Sequence, residues 1–492
     1  MRKINMDLCK MKKDGSYKLN KEACIGICAK RYEVYRSEMQ DKYARVMEGD
    51  KIKEYDIQSE EFKSDVRNFL RKESGLDFID TPTIKGILEF LADKAFDGEE
   101  KRLVSRAIYD DVNKRVLIDM CDGGNVICIS KKGIEKIQRP LAVFQEYSTD
   151  LPLKDFVPGK AANVPSLIQK ITRLNKEDAV ILATYLVACL YGNSKPVPIL
   201  FITGPKGSAK TSLSRLIQEC VDPSKGGIFC LSEKLKDLAI ATSKRLLCVF
   251  DNTGGLKRKK KLSDLLCTVV TKGSMQMRTL YTTKDETVLQ FRSNLVINGI
   301  DFLADQTDLL DRCIMIELDT IPEAERKTEV ELDAEIKQVM PELMGGLYDI
   351  IQKILGMEEI SVATLNRMAD YELLAIKAAK AMGFAVVDFQ RMLNNNIQNM
   401  YDTFAMSDIT IKALSMFMED RDTWNGSVSE LHMACHDALY GNVLKAELAV
   451  FPQDASAFSQ RIKSMEQQLK HVGISFAMHK TNKNMQIAVS RV

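Results

Sequence analysis

The chain has 492 residues, of which 45% are hydrophobic and 28% are charged, with 12 cysteines and a formal net charge of +2. This length predicts about three domains with sizeable cores. Because the net charge is small, any nucleic-acid surface must come from local clusters of basic residues. The scattered cysteines exclude a secreted disulfide framework and favour a reducing, cytoplasmic location. The first seven residues lack the apolar core of a signal peptide, and no membrane association is expected, since the longest apolar run, Val180 to Tyr191, is too short to span a bilayer.

The first 157 residues are expected to form an accessory α+β domain. Residues 1–60 are charged and mostly helical in pattern, and the apolar spacing within 61–96 again predicts helices. The period then changes to that of short strands joined by Asp- and Gly-rich turns. The predicted strands are 103–109, 115–120 and 125–129, and 151–159 is expected to be a linker.

The most informative segment joins an apolar strand, Ile199 to Thr203, to a glycine-rich turn and a helical pattern that ends near Cys220. Backbone N–H groups of such a loop and the positive end of the helix dipole hold phosphates. Lys210 is expected to reach the β- and γ-phosphates of ATP, and the Thr211 hydroxyl is expected to bind Mg²⁺. The predicted nucleotide-binding residues are Gly204, Pro205, Lys206, Gly207, Ser208, Ala209, Lys210, Thr211 and Ser212.

Ala209 stands where the usual G-x-x-x-x-G-K-[ST] pattern has its second glycine. Alanine is compatible with that position if the residue adopts helical dihedral angles, because only a positive φ strictly favours glycine. The alternative is a glycine-rich turn that binds no ligand.

Two later strands end in polar residues that fit the other half of an ATPase site. Asp251 ends an apolar strand about forty residues after the loop and is the second candidate Mg²⁺ ligand. Asn252 follows, where a Glu usually polarises water; Asn orients a water but cannot take its proton, so the sequence assigns no general base. Asn298 fits a γ-phosphate sensor, the alternative being a strand-end residue in a turn.

Two arginines are candidates for contacts with phosphate. Arg312 precedes a strand at the position from which a ring ATPase reaches the γ-phosphate of its neighbour. The alternative is an ion pair with Asp308 or Asp311. Arg367 opens a long helical pattern and suits a second sensor arginine.

These elements together resemble the MCM-like AAA+ replicative helicases of mobile elements, such as those of staphylococcal cassette chromosomes and pathogenicity islands, and related phage proteins. The resemblance implies an α/β AAA+ P-loop ATPase core over 158–405, and a homo-hexameric ring that moves 3′ to 5′. Lys210, Thr211, Asp251 and Asn298 would act in cis, and Arg312 and Arg367 in trans. The matching motifs are Gly204 to Thr211, Asp237 to Ala241, Phe250 to Asn252, Asp264 to Cys267, Arg278 to Tyr281, Asn298 to Ile300, Asp308 to Arg312 and Arg367 to Asp370.

Two regions are candidates for contacts with DNA. Residues 277–291 predict a hairpin where MCM-type ATPases insert a pore hairpin, with Arg278 on its first strand and Lys284 at its tip. An ordinary exposed lysine is the alternative for Lys284, and the basic run 257–261 is left open between a DNA contact and a solvated face.

The last segment, 406–492, predicts three helices and two strands, the order of a winged-helix domain. Residues 455–492 carry six Lys or Arg against one Glu, with the recognition helix expected at 456–470 and the wing at 480–484. Origin DNA or a replisome protein would bind there, the alternative being a lid that only packs on the ring. The candidate contacts are Arg461, Lys463, Lys480 and Lys483.

The sequence therefore predicts a ring-shaped, ATP-dependent DNA helicase that acts on single-stranded or forked DNA during replication of a mobile element. A DNA-binding initiator or regulator that uses ATP as an assembly switch is the alternative. An ATPase that remodels proteins is a second rival, disfavoured because the predicted hairpin tip carries no aromatic residue.

Overall fold

The computed structural model describes most of the chain, and no helix in that part is long and apolar enough to cross a membrane. The described part of the chain is mixed α/β and contains four sheets of three or more strands. The described residues are 4–13, 15–38, 40–49, 51–101, 103–138, 144–145, 147, 149–192, 195–232, 234–251, 260–278, 286–299, 307–443, 448–480 and 485–491.

The N-terminal segment folds around its own apolar core, and the helical prediction for residues 1–60 is wrong. Residues 1–60 contain three strands, β3, β4 and β5, of a four-stranded sheet ordered β5-β4-β3-β6. Charged residues occupy many of its strand positions, as where Lys53 follows the buried Ile52, and this mixture hid the strand period. The two helices within 61–96 are confirmed. The elements are β1 (Cys9–Met11), β2 (Tyr17–Leu19), α1 (Lys21–Arg31), β3 (Glu33–Ser37), β4 (Lys42–Glu48), β5 (Lys51–Asp56), α2 (Glu60–Ser74), α3 (Thr81–Phe96) and β6 (Glu100–Lys101).

A second antiparallel sheet, ordered β10-β9-β8-β7, confirms the strands expected between 103 and 129 and adds one that was missed. Its inner face, which includes Val116, Ile118 and Ile129, belongs to the same apolar core as the helices of the central segment. This sheet is therefore packed against the centre of the molecule. Its strands are β7 (Ala107–Asp110), β8 (Arg115–Asp119), β9 (Asn125–Ser130) and β10 (Gly133–Gln138).

The central segment contains a five-stranded parallel sheet in the order β12-β13-β16-β11-β17. Its strands are apolar on both faces: Leu200 and Ile202 lie in one core, and Ile199 and Phe201 lie in the other. This double burial is typical of a parallel sheet covered by helices. The elements are α4 (Val164–Ile171), α5 (Lys176–Tyr191), β11 (Ile199–Thr203), α6 (Lys210–Val221), β12 (Phe229–Cys230), α7 (Leu235–Lys244), β13 (Leu247–Asp251), α8 (Lys260–Val270), β14 (Ser274–Arg278), β15 (Glu286–Gln290), β16 (Asn294–Asn298), α9 (Thr307–Leu310), β17 (Cys313–Glu317), α10 (Glu329–Gly356), α11 (Ala369–Ala381) and α12 (Val386–Ser407).

The C-terminal segment shares the second core of the central sheet, where Leu431 and Phe458 join Phe201 and Ile297. It contains a strand that was not predicted, β18, which pairs with β20 in a sheet ordered β18-β20-β19. The helix expected over 456–470 is in fact two helices that meet at Met465. The elements are α13 (Ile409–Met418), β18 (Thr423–Ser427), α14 (Val428–Leu439), the helices Ala455–Ser464 and Glu466–His471, β19 (Ile474–Lys480) and β20 (Met485–Arg491).

A buried ion pair joins the second sheet to the end of the helix that follows the glycine-rich loop. Arg106 Nε donates to Asp222 Oδ1 at 3.0 Å, and the two side chains are 2% and 5% exposed. The other Asp222 oxygen accepts from the backbone N–H groups of Leu246 and Leu247. Asp222 therefore fixes the end of α6 relative to the start of β13, the two elements that carry the candidate site.

We expect Asp222→Ala to destabilise the protein by about 3–5 kcal/mol, because it removes the carboxylate that pairs with the buried Arg106 guanidinium. Thermal and urea unfolding of the full chain measure this effect. The matched control is Asp111→Ala, which removes an ion pair to Lys114 whose partners are 79% and 68% exposed, and it should cost less than about 1 kcal/mol. Equal losses in the two variants would contradict the structural role of Asp222.

Candidate functional site: a phosphate-binding loop at a sheet edge

The glycine-rich loop leaves β11 and turns sharply before α6 begins at Lys210. Gly204 has φ +145° and Gly207 has φ +80°. A Cβ atom on Gly204 would lie 2.3 Å from the carbonyl oxygen of Leu318, so a side chain cannot fit without moving the backbone. The two glycines are therefore required by the loop conformation.

Ala209 does not have the helical dihedral angles on which its compatibility with the loop was expected to depend. It lies in the left-handed region, with φ 62° and ψ 28°, where a Cβ atom crowds the following carbonyl group. The residue that departs from the usual pattern is thus the residue that needs glycine. The loop stores strain at the position immediately before Lys210.

Lys210, Thr211 and Asp251 meet at the carboxyl end of the sheet. The Thr211 hydroxyl donates to Asp251 Oδ2 at 2.9 Å. Lys210 Nζ donates to the carbonyl oxygens of Gly204 at 2.6 Å and Pro205 at 2.8 Å. Burial lowers the pKa of Lys210 from its ordinary value, and the nearby Asp251 carboxylate opposes that shift.

Asn298 ends β16, which lies between β11 and β13 in the sheet. Its side chain is buried, and Nδ2 donates to Ser214 Oγ at 2.8 Å, one turn along α6 from Thr211. Asn298 therefore lies beside the loop, where the sequence places it. Asn252 falls outside the described residues.

A cavity of about 360 Å³ adjoins the loop and is lined by Ser208, Ala209 and Ser212 together with the ends of α4 and β17. The carboxyl groups of Asp178 and Glu317 also line this cavity. Burial raises the pKa of Asp178 to about 6, although a hydrogen bond from Asn175 opposes the shift. Near neutral pH the Asp178 carboxyl group is therefore mostly ionised and offers hydrogen-bond acceptors.

The sequence analysis missed Arg326, whose guanidinium lies 3.8 Å from where a Cβ atom of Gly207 would be. The side chain is 52% exposed, and its Nε donates to the carbonyl oxygen of Ile321 at 3.4 Å. Arg326 follows the loop by more than a hundred residues in a polar segment, so no local pattern signals it. It adds a second cation on the loop side of the site.

The residues at this edge fit a nucleoside triphosphate with Mg²⁺. The hydroxyl of Thr211 and the carboxylate of Asp251 are oxygen ligands of the kind that Mg²⁺ prefers. The loop glycines keep the backbone bare of side chains, and Lys210 supplies a positive charge. The adjoining cavity is large enough for a base and sugar.

Arg312 and Arg367 lie together at the amino end of the parallel sheet, opposite the phosphate-binding loop. Arg312 N-terminally flanks β17, and its carbonyl oxygen accepts from the N–H of Ile199 at the start of β11. The five residues of β11 separate this point from the loop by about 16 Å. Neither arginine therefore belongs to the phosphate site of its own chain.

The alternative considered for Arg312, an ion pair with Asp308, is present at 2.7 Å. Arg367 shares the same Asp308 oxygen at 2.6 Å and reaches Asp311 at 3.0 Å. The arginines lower the pKa of Asp308, mainly through the hydrogen bond from Arg312. One carboxylate thus holds both guanidinium groups side by side.

This arginine cluster is linked to the C-terminal segment. The hydroxyl of Tyr401 hydrogen-bonds to Asp311. The Tyr401 ring stacks on His471 with a centroid distance of 4.0 Å. His471 ends the helix Glu466–His471. The C-terminal segment is therefore connected to Arg367 through Tyr401 and Asp311.

The predicted hairpin between Asp251 and Asn298 is confirmed, with β14 and β15 antiparallel and Arg278 opposite Glu286. Its tip, including Lys284, falls outside the described residues, as does most of the basic run 257–261. At its base, Lys272 Nζ donates to the carbonyl oxygens of Arg292 and Ser293 and to Asn294 Oδ1, at 2.8–3.0 Å. Burial lowers the pKa of Lys272 to about 8. The base of the hairpin is therefore fixed to the sheet.

Of the four basic residues proposed as DNA contacts in the C-terminal segment, Arg461 has a structural partner. Arg461 pairs with Asp408 at 2.6 Å, and this carboxylate also caps α13, so Arg461 has a structural contact in place of the expected exposure. Lys463 and Lys480 are exposed, and Lys483 falls outside the described residues.

We expect Ala209→Gly to stabilise the protein by about 1–2 kcal/mol, because glycine removes the Cβ strain of the left-handed conformation. Thermal unfolding of the full chain without nucleotide measures the effect. The control is Ala434→Gly in the middle of α14, which should destabilise by about 1 kcal/mol. A loss of stability in Ala209→Gly equal to that of the control would show that Ala209 is not strained.

Two family models match consecutive parts of the chain. Residues 165–399 match the model described as "Actinomycete integrative conjugative element replication protein". Residues 411–492 match the model described as "AICE RepA C-terminal domain". The first match contains the phosphate-binding loop, Asp251, Asn298 and both candidate arginines. No curated protein matches the chain.

Among solved structures, the apo A form of the NrS-1 C terminal region is 11% identical, over 95% of this chain and 98% of that one, with a TM-score of 0.40. A JCV helicase structure is 16% identical, over 49% of this chain and 64% of that one, with a TM-score of 0.25. These TM-scores are too low to support an argument about this chain. The two family matches identify the chain as a replication protein of a mobile genetic element, similar to the replication proteins of actinomycete integrative conjugative elements.

Proposed function

We propose that this replication protein is an ATP-driven DNA helicase whose central segment is an AAA+ ATPase. The observation that carries the proposal is the 2.9 Å contact between the Thr211 hydroxyl and the Asp251 carboxylate, beside Lys210 at the end of a parallel sheet. Two strands bring together the oxygen ligands and the cation that phosphoryl transfer requires. The remaining parts of the proposal follow from this site.

Within one chain, the loop N–H groups and Lys210 bind the β- and γ-phosphates. Lys210 exchanges its bonds to the Gly204 and Pro205 carbonyls for bonds to phosphate oxygens. Thr211 and Asp251 would hold Mg²⁺, which would supply neutralisation of charge on the triphosphate. Asn298 orients the attacking water, and Asn252 is the second candidate for that role.

Arg312 and Arg367 complete the site of a neighbouring chain. They lie about one strand length from their own loop, and Asp308 holds their guanidinium groups together. A ring with head-to-tail interfaces brings this edge of one chain to the loop edge of the next. We therefore propose a homo-hexamer with ATP between subunits, in which both arginines stabilise charge on the transferring phosphoryl group in trans.

The DNA contacts are assigned to the hairpin and to the C-terminal segment. The hairpin carries Arg278 and Lys284, and its base is fixed to the sheet by Lys272, so a shift in the sheet moves the hairpin with it. The described elements of 409–491 are, in order, a helix, a strand, three helices and two strands, which supports a winged helix, with Lys463 and Lys480 exposed on it. Origin DNA or a replisome protein is the partner proposed there.

Unwinding of a forked DNA by the full chain tests the proposal. Wild type is expected to separate the strands only with ATP and Mg²⁺, and Lys210→Ala should lower both hydrolysis and unwinding by about 100-fold or more. Lys284→Ala should keep hydrolysis near wild type and lose unwinding. Its control is Lys132→Ala, which changes an exposed lysine in the turn between β9 and β10 and should unwind normally.

The outcomes separate the rival functions. If wild type hydrolyses ATP and binds DNA but never separates strands, the protein is an ATP-switched initiator and the helicase proposal falls. If hydrolysis is stimulated by a protein substrate and not by DNA, the protein is a remodelling ATPase. If Lys284→Ala unwinds as well as Lys132→Ala, the hairpin assignment is wrong.

A further inference from the structure

The N-terminal segment carries a basic hairpin, formed by β1 and β2, that no part of the proposed ATPase site uses. Residues 1–31 contain nine Lys or Arg against three Asp or Glu, whereas residues 32–101 contain twelve against eighteen. The positive charge is therefore concentrated at the start of a domain that is otherwise acidic. Such an asymmetry is typical of a surface that meets a polyanion.

The lysines of this hairpin lie on one face. In the antiparallel register, Lys10 is directly opposite Lys18, and Lys12 donates its N–H to the Ser16 carbonyl at the next step along the ribbon. Since side chains alternate between faces, Lys10, Lys12 and Lys18 share the outer face. Lys13 follows at the turn, and all four lysines are exposed.

The stability of the hairpin does not explain this arrangement. Like charges directly opposite each other in a sheet are destabilising, and no described carboxylate forms an ion pair with any of the four lysines. An external anion is the partner that would turn this repulsion into attraction.

The inner face fixes the hairpin to the domain. Cys9 and Leu19 are buried, with exposures of 4% and 8%, and belong to the N-terminal core. The Asn20 N–H donates to the Leu8 carbonyl at 2.8 Å, and the Asn5 N–H donates to the Ser74 carbonyl at the end of α2 at 3.0 Å. The lysines are therefore presented from an anchored ribbon.

We propose that this hairpin binds the phosphate backbone of DNA, independently of sequence. Lysine side chains are well suited to phosphate contacts, which position a protein on DNA without reading its sequence. The proposal rests on the proposed function only in naming DNA as the polyanion. It adds an N-terminal DNA contact to those proposed for the β14–β15 hairpin and the C-terminal segment.

The test compares DNA binding by the full chain and by a variant in which Lys10, Lys12, Lys13 and Lys18 are all changed to Gln. Fluorescence anisotropy with a labelled forked DNA, from 50 to 200 mM salt, gives the affinity and its salt dependence. The slope of log K against log salt is negative, and each lost phosphate contact reduces its magnitude by about 0.9. The slope of the variant should therefore be smaller in magnitude by roughly 2 to 4. At low salt its affinity should fall at least tenfold.

The matched control changes Lys63, Lys72, Lys85 and Lys94 to Gln, which removes the same charge from α2 and α3. Its slope should stay within about 0.5 of wild type, because those lysines contact no phosphate. Removing the Lys10–Lys18 repulsion should leave the thermal midpoint of the hairpin variant at or above that of wild type, which excludes misfolding as the cause of weaker binding.

Equal slopes for the hairpin variant and wild type would overturn the proposal. It would also be overturned if the variant bound DNA as wild type does but lost binding to phosphatidylserine vesicles, because the lysines would then serve a lipid surface. An equal loss in the control would also overturn it, because net charge alone would then explain the effect. If wild type fails to unwind but the hairpin variant still loses its salt-dependent DNA binding, the helicase proposal falls and the hairpin proposal stands.

Discussion

The candidate site depends on the hydrogen bond between Thr211 and Asp251, which joins the first turn of α6 to the end of β13. These residues are forty positions apart in sequence, and only the parallel sheet brings them together. Because β16 lies between β11 and β13, Asn298 arrives at the same edge. The order of the strands therefore determines which polar side chains surround the loop.

The same sheet separates two pairs of basic side chains. Lys210 and Arg326 lie near the loop, at the carboxyl end of the strands. Arg312 and Arg367 lie at the amino end, where both pair with Asp308. In the proposed ring, a single chain therefore contributes to two phosphate sites, the loop to one and the arginines to the other. The contact of Asp311 with Tyr401, and of Tyr401 with His471, gives the C-terminal segment a direct connection to one of those halves.

Much of this arrangement was predictable from sequence because its signals are local. Short sequence patterns predict each part of the site. They are the apolar strand before Gly204, the Lys-Thr pair, and the apolar strands that end in Asp251 and Asn298. Ala209 shows the limit, since the sequence identified an unusual residue but its left-handed conformation depends on how the loop meets α6. The break at Met465 was missed because one continuous helix and two shorter ones would bury the same apolar residues.

Other features depend on long-range packing and gave no local signal. The N-terminal strands carry charges at exposed positions, which obscured their period, and β18 is a polar strand that is recognisable only by its pairing with β20. Arg326 reaches the loop from a polar segment far along the chain. The ion pair of Arg461 with Asp408 likewise joins residues 53 positions apart, so charge alone suggested a free DNA contact.

The central claim, that two chains share each ATP site, is tested by mixing two inactive variants. Lys210→Ala and Arg312→Ala are each expected to lower ATP hydrolysis by about 100-fold or more. Mixed in equal amounts as protomers before assembly, they place an intact loop against an intact arginine at about a quarter of head-to-tail interfaces, and hydrolysis should recover to that order. If the mixture hydrolyses ATP no faster than the separate variants, or if Arg312→Ala alone retains wild-type hydrolysis, the shared-site account is contradicted.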